Sequence, residues 1–283
     1  MIKLRKIILA AFSLGFILLI AGCNAEVLNP HGPVARDEKH LLITALLLMF
    51  IIVIPVLIAT LVIAYRYRAS NKKAKYTPEW SHSTKLEVIW WLVPIIIISI
   101  LGTITWITTH QLDPYRPLNS TVKPVTIEVV SLEWRWLFIY PDQHIATINT
   151  LEFPVNTPIN FLITSDAPMN SFQVQGLAGQ IYAMAGMTTK LHLLADDVGD
   201  YNGRSVSFSG DGFANMMFTA HVVNQDEFNT WVAQVQKSPT SLDFNTYNRK
   251  LAPATLDTGI YYFTLGDDTL FNDIIMKYMH MGS

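Results

Sequence analysis

Two long apolar segments dominate the pattern of hydrophobic and polar positions along the chain. They cover Leu41–Ala64 and Val88–Thr109, and neither contains a charged residue. An α-helix rises 1.5 Å per residue, so each segment is long enough to cross the roughly 30 Å hydrocarbon core of a bilayer. A buried helix of a soluble protein is the alternative, but both segments exceed the ~18 residues that indicate a membrane span. The pattern therefore predicts two transmembrane helices.

The segment between the two apolar stretches is short and basic. Short loops rich in Lys and Arg stay on the cytoplasmic side of a bacterial membrane. We therefore expect the tip of this hairpin to be cytoplasmic and everything after His110 to form an extracytoplasmic domain. Against the single acid Glu79, the loop carries the basic residues Arg66, Arg68, Lys72, Lys73, Lys75 and Lys85.

The amino terminus has the pattern of a secretory signal. The basic start MIKLRK precedes a short apolar stretch, and the small residues Ala21 and Gly22 precede Cys23. A third membrane span is the alternative, but the apolar stretch is short for that. The Ile20–Cys23 ending resembles a bacterial lipobox, which implies cleavage before Cys23 and lipidation of that residue. We expect the lipid to hold the following segment at the membrane.

The chain after the second apolar stretch changes to short β-type segments. Runs of β-branched and aromatic residues alternate there with turn residues, which favours an antiparallel sandwich or barrel. From Gln225 onward, apolar residues recur at helical spacing, so we expect residues 225–283 to be helical. The β-type runs are 125–130, 134–140, 159–164, 189–194, 205–208 and 217–223.

These patterns predict a membrane-anchored α+β protein with the following order of parts. They are a signal at 1–22, an extracytoplasmic segment at 23–40, a first membrane helix at 41–64, a cytoplasmic loop at 65–86, a second membrane helix at 87–109, a β-domain at 110–224 and a helical region at 225–283.

Composition narrows the possible functions. The formal net charge is −2, so nothing indicates nucleic acid as a partner. Cys23 is the only cysteine in the sequence, and the lipobox uses it. The extracytoplasmic domain therefore has no thiol with which to build a disulfide or a thiolate metal site.

Three stretches resemble subunit II of the haem–copper respiratory oxidases, in the bo-type quinol oxidase branch. Lys123–Asn149, with its Trp-x-Trp element, is similar to the first strands of the family's cupredoxin domain. Ala167–Leu193 is similar to the next block, and Ser81–Pro94 to the entry of the second membrane helix. The resemblance implies a periplasmic cupredoxin-like antiparallel β-sandwich, anchored in the bacterial inner membrane by two helices.

The resemblance also implies a function. The complex would oxidise ubiquinol, reduce dioxygen to water and couple both reactions to proton translocation. This chain would contact subunit I, the other subunits of the oxidase and membrane lipid, but not cytochrome c. It would hold no cofactor itself, because the haems, the copper and the quinol site are expected in subunit I.

The family's two-copper centre is expected to be absent. The block that should carry its two cysteines is Ser207–Phe218, which has no Cys, His or Glu. We interpret His192 and His221 as ordinary hydrogen-bonded or surface residues, and Trp134 and Trp136 as apolar anchors against subunit I. The positions that mark the degenerate copper site are Asn170, Ser207, Phe208, Gly212 and Met216.

Glu87 is the residue that we expect to take part in the chemistry. It precedes the second apolar stretch at the cytoplasmic edge, where an acid is also typical of a solvated helix start. The resemblance implies that a glutamate at this position sits at the mouth of subunit I's lysine-type proton channel. A carboxylate there can pass protons inward from the cytoplasm.

Two other functions stay open. A copper-carrying cytochrome c oxidase subunit would need a pair of cysteines that this chain lacks. A stand-alone lipoprotein with a degenerate cupredoxin domain, acting in binding or assembly, would be isolated without haem-bearing partners.

Overall fold

The computed structural model describes residues 26–75 and 77–279. The predicted signal at 1–22 and the predicted lipidation site Cys23 lie outside the described residues. The described residues form two compact units. One contains residues 38–113, and the other contains the described residues on either side of that range.

Two long helices contain the predicted membrane spans. Helix α1 covers Pro33–Arg66 and helix α2 covers Thr84–Gln111, and both are long and apolar enough to cross a membrane. Helix α1 starts eight residues before the apolar stretch begins. Proline is favoured in the first turn of a helix, and the polar residues after Pro33 are mostly good helix formers. Hydrophobicity therefore locates the span, whereas capping and propensity decide where the helix begins.

A two-sheet sandwich follows, and the predicted fold class is confirmed. The first sheet has seven strands in the order β11-β12-β3-β2-β1-β5-β8, and the second has five in the order β4-β10-β9-β6-β7. The strands are β1 (Val125–Ser131), β2 (Trp136–Tyr140), β3 (Ile145–Ile148), β4 (Thr150–Pro154), β5 (Ile159–Ser165), β6 (Asn170–Val174), β7 (Gln180–Ala183), β8 (Thr189–Leu193), β9 (Gly199–Ser205), β10 (Met217–Val223), β11 (Ser241–Leu242) and β12 (Tyr261–Leu265).

The strand pairing is mixed rather than purely antiparallel. β1 pairs in parallel with β5, β4 with β10, and β11 with β12. A parallel pair needs a long crossover connection, and the excursion through β2, β3 and β4 supplies one between β1 and β5. That excursion changes sheets at Asn149, whose φ of 57° turns the chain sharply. Its side-chain oxygen accepts a hydrogen bond of 3.0 Å from the Trp136 backbone N–H.

The core between the sheets is rich in aromatic side chains. Trp136 packs edge-on against Phe172 at 5.3 Å and Phe218 at 5.9 Å, and all three are buried. Burying one such side chain contributes about 1.5–3 kcal/mol. All of β2 is buried because its alternate residues face two separate clusters, one between the sheets and one under the C-terminal helices.

The C-terminal region corrects the prediction of a purely helical segment at 225–283. It contains helices α3 (Gln225–Val235), α4 (Phe244–Lys250) and α5 (Leu270–Met279), but also β11 and β12. β12 pairs with β3 and extends the seven-stranded sheet. A five-residue run with three aromatic residues, lying between helical patterns, is ambiguous by periodicity alone. Only the open edge of β3 makes it a strand.

The segment before α1 lies against the sandwich. The backbone N–H of His31 donates to the Gly176 carbonyl at 2.8 Å, and the His31 carbonyl accepts from Asp196 N–H at 2.8 Å. Arg36, in the first turn of α1, forms an ion pair with Asp196. Residues 26–37 of the predicted segment 23–40 therefore belong to the same compact unit as the sandwich.

Candidate functional site

Glu87 lies in the first turn of α2, as the sequence predicts. Its backbone N–H donates to the Ser83 carbonyl at 2.9 Å, and one carboxylate oxygen lies 3.4 Å from His82 Nδ1. The side chain is 43% exposed. An accessible carboxylate beside an imidazole can exchange protons with water on either group.

Asn170 lies at the other candidate site, where β6 begins. The residue is buried, and both polar atoms of its amide group form a hydrogen bond within the protein. The amide oxygen accepts from Ser205 Oγ at 2.7 Å, and the amide nitrogen donates to the Pro168 carbonyl at 3.0 Å. An amide is also a harder ligand than the thiolates and imidazoles that hold copper pairs.

Ser205 joins three of the five marker positions. Its hydroxyl contacts Asn170 and lies 3.2 Å from the Ser207 carbonyl, and its backbone N–H donates to the Met216 carbonyl at 3.1 Å. Met216 is buried. Sequence reasoning missed Ser205, because a serine at the end of a strand carries no signal of such a role.

Phe208 and Gly212 lie apart from that network. Phe208 is 80% exposed and meets Phe213 edge-on at 5.6 Å. Gly212 lies directly under the Trp134 ring, where any Cβ would overlap the indole. Trp134 Nε1 donates to the Ser209 carbonyl at 3.1 Å, so the indole covers the loop that follows β9.

The donor atoms at this end do not fit a copper pair. They comprise an engaged amide, carbonyl oxygens and a buried thioether, whereas copper pairs need soft thiolates and imidazoles. His192 and His221 lie in different sheets and bind Asn160 and Asp200 through Nδ1, at 2.7 and 2.6 Å. Burial, and next the charge of Lys190, lower the pKa of His192. Among the described residues, no three His, Cys, Asp or Glu side chains form a group that could hold a metal ion.

Trp136 corrects one prediction about partner contacts. It is completely buried between the two sheets, so it cannot anchor the domain against another subunit. The Trp-x-Trp spacing places Trp134 and Trp136 two residues apart, which in a regular strand would put both on one face. Trp134 instead has a φ of 65° and ends the turn before β2.

Comparison with known proteins identifies the family. The transmembrane domain of cytochrome c oxidase subunit II matches residues 31–106, and the COX aromatic-rich motif matches residues 236–282. The chain is 52% identical over 270 residues to cytochrome bo(3) ubiquinol oxidase subunit 2 of Pseudomonas aeruginosa, covering 95% of this chain and 81% of that protein. It is 50% identical to ubiquinol oxidase subunit 2 of Acetobacter aceti, covering 92% and 85%.

The chain belongs to the ubiquinol oxidase subunit 2 family. Among solved structures, the periplasmic domain of subunit II of cytochrome oxidase from Bradyrhizobium japonicum is 21% identical. It covers 42% of this chain and 96% of that one, with a TM-score of 0.39, a likeness too weak to support a conclusion about this member of the family.

Two further acids of this subunit 2 chain escaped sequence reasoning. Burial raises the pKa of Glu128 to about 7. Burial also raises the pKa of Glu152 to about 7, with His221 opposing the shift and Glu227 and Asp200 adding to it. Glu128 lies in β1 opposite Ile139 and Leu162 on its neighbouring strands. Alternation within a strand hints that a polar residue faces outward, but not that apolar neighbours surround it.

Proposed function

We propose that this chain is subunit II of a ubiquinol oxidase of the inner bacterial membrane. The observation that carries the proposal is the 52% identity over nearly the whole chain to a cytochrome bo(3) ubiquinol oxidase subunit 2. The complex oxidises two ubiquinols to ubiquinones and reduces one dioxygen to two waters. The two quinols release four electrons and four protons, and one dioxygen takes up four of each to form two waters. The free energy of this reaction drives proton translocation.

The chain's own role is structural and protonic rather than redox. The donor atoms around Asn170 and Ser205 support this assignment, because amide, hydroxyl and carbonyl groups bonded to one another are not the soft ligands that a copper pair needs. Haems, copper and quinol are then bound by subunit I. Neither a cofactor nor cytochrome c is required by this domain.

Glu87 serves as the entrance of a proton channel in subunit I. Its exposure and its place at the start of α2, after the basic loop, support that role. A carboxylate in the first turn of a membrane helix stands between bulk water and the hydrocarbon, where protons have to enter.

Cys23 anchors the amino terminus through a lipid, after cleavage of the signal at 1–22. Because two membrane helices already hold the chain, the lipid only positions the amino terminus. Mass spectrometry of the mature chain is expected to show an acylated Cys23 as the first residue. A mature chain that starts at Met1 without a lipid would exclude this role.

Purification in a mild detergent tests the main proposal. The tagged chain is expected to bring down a haem-bearing subunit, and the complex is expected to consume oxygen with ubiquinol but not with reduced cytochrome c. Isolation of the chain without haem would favour a stand-alone lipoprotein. Oxygen consumption driven by cytochrome c would contradict the proposal.

A further inference from the structure

Asp166 is the most completely buried ion-paired carboxylate among the described salt bridges. Its side chain is 3% exposed, and both oxygens contact Lys277 Nζ, at 2.8 and 2.6 Å. The hydroxyl of Tyr278 donates to it at 2.6 Å, and the hydroxyl of Tyr247 at 2.5 Å. A buried carboxylate is tolerated only when it is paired and hydrogen-bonded, and this one is both.

All three of these partners come from the C-terminal region. Tyr247 lies in α4, and Lys277 and Tyr278 lie in the last turns of α5. Burial raises the pKa of both tyrosines, and Asp166 raises it further. The two phenols therefore keep their protons and remain donors over the whole physiological range.

Asp166 in turn holds the loop that joins β5 to β6. It is the first residue after β5, and its backbone N–H donates to the Ser131 carbonyl at 2.8 Å. The loop ends at Asn170, which Ser205 holds from the other side. Residues 166–169 are thus fixed at both ends, once by the C-terminal helices and once by β9.

Helix α5 also touches the turn between β7 and β8. Gly186 in that turn has a φ of 71°, and a Cβ there would lie 3.2 Å from Tyr278 Cβ. Thr164, near the end of β5, donates to the Met184 carbonyl at 3.2 Å. The turn 184–187 and the loop 166–169 therefore meet at the same end of the sandwich, next to the last turns of α5.

We propose that α5 is a clamp that sets the position of these two loops, with Lys277 and Tyr278 as its positioning residues. Both residues hold the loops through their contacts with the Asp166 carboxylate. The loops carry Met169 and Met187, which are 51% and 54% exposed, so the clamp sets where these two apolar side chains meet the solvent. The C-terminal region is then a device for ordering loops, beyond its contribution to the sheet.

Hydrogen exchange on the full-length chain in detergent tests the clamp. In Lys277→Met, which keeps the side-chain length but removes the charge, amides in 166–170 and 184–187 are expected to exchange roughly tenfold faster. Amides of β2 and β3 are expected to keep their wild-type rates. Lys277→Arg retains a cation that can reach both carboxylate oxygens, so it is expected to restore slow exchange. Lys250→Met, at an exposed position in α4, is the matched control and is expected to change neither loop.

A general loss of stability gives a different pattern. Equal acceleration throughout the sandwich in Lys277→Met would overturn the clamp, and so would wild-type exchange in both loops. If Lys277→Met does not fold, Tyr278→Phe tests the same idea by removing one hydroxyl and keeping the ring. It is expected to accelerate exchange in the same two loops by a smaller factor, and unchanged exchange there would also overturn the proposal.

Discussion

At the scale of single residues, substitution of Glu87 distinguishes a proton-channel entrance from a solvated acid at a helix start. If it collects protons, Glu87→Ala is expected to slow ubiquinol-driven oxygen consumption by up to ~10²-fold, with haem content unchanged. Glu87→Asp is expected to be milder, because it keeps a carboxylate with a shorter reach. If Glu87 is only a solvated helix start, its removal is expected to lower stability by about 0.3–1 kcal/mol and to leave turnover normal.

The control for Glu87 is Glu79, the single acid of the loop that joins the two membrane helices. Glu79→Ala removes an exposed carboxylate outside the helix and is expected to leave turnover at the wild-type level. Normal turnover of a fully assembled Glu87→Ala oxidase would show that the residue is only a helix start.

Glu128 gives a prediction about pH. Its pKa rises from 4.5 in the unfolded chain to about 7 in the fold, so the folded state binds the proton more tightly. Below pH 4.5 the carboxyl is protonated in both states and does not lower the free energy of unfolding. That free energy falls as the pH rises from 4.5 to about 7. Glu128→Gln is expected to stabilise the domain by about 1–2 kcal/mol at pH 8, after allowance for solvent screening, and hardly at all at pH 4.

Thermal denaturation of the two chains at both pH values measures this difference. Asp211→Asn, at an exposed site in the loop after β9, is the control for loss of a carboxylate from the surface of the same domain. An equal effect of Glu128→Gln at pH 4 and pH 8 would mean that protonation is not its cause.

At the scale of elements, the segment before α1 shows how closely the chain packs against the sandwich. Gly32 lies so close to the carbonyl oxygens of Leu194 and Leu177 that a Cβ would overlap the first of them. Since these are backbone atoms, the overlap cannot be relieved by a side-chain rotation. Gly32→Ala is therefore expected to destabilise the docking of residues 26–32 by about 1–3 kcal/mol.

Gly102→Ala is the matched control for Gly32. Gly102 lies inside α2, and nothing comes within 4 Å of a Cβ placed there. This substitution is expected to be neutral, or to stabilise the helix by up to about 1 kcal/mol. Limited proteolysis before Pro33 checks both outcomes, and equal resistance of the two variants would contradict the role given to Gly32.

The strands illustrate which local patterns are decisive. Val125–Ser131 and Met217–Val223 are clear from their β-branched and aromatic residues, because each lies between turn signals. The sequence predicts β12 as part of a helical region, since only pairing with β3 gives its aromatic residues an extended form. Edge strands of this kind depend on a partner that lies more than a hundred residues away in the chain.

At the scale of the whole molecule, the sandwich is expected to fold and remain folded without metal. Chelation of the full-length chain in detergent is expected to leave its melting temperature unchanged, and metal analysis is expected to find no stoichiometric copper. A purple copper chromophore would refute this. Replacing a single marker position with a ligand is also expected to fail, because a copper pair needs several soft donors in one geometry.

Several properties of this protein follow from the sequence alone. The two uncharged stretches and the basic loop define the membrane hairpin, because the cost of placing charges in hydrocarbon leaves few alternatives. The single Cys23 excludes a thiolate metal site anywhere after it. Alternation and turn residues indicate a β-domain, since strand periodicity is a local property.

Only the tertiary structure decided which distant residues meet. Asp166 and Lys277 are separated by 111 positions, and Asn170 and Ser205 by 35, so no local pattern could pair them. The burial of Trp136, the raised pKa of Glu128 and the docking of Gly32 have the same origin. Each depends on how much water and which neighbours surround a side chain once the two sheets and the C-terminal helices have closed around it.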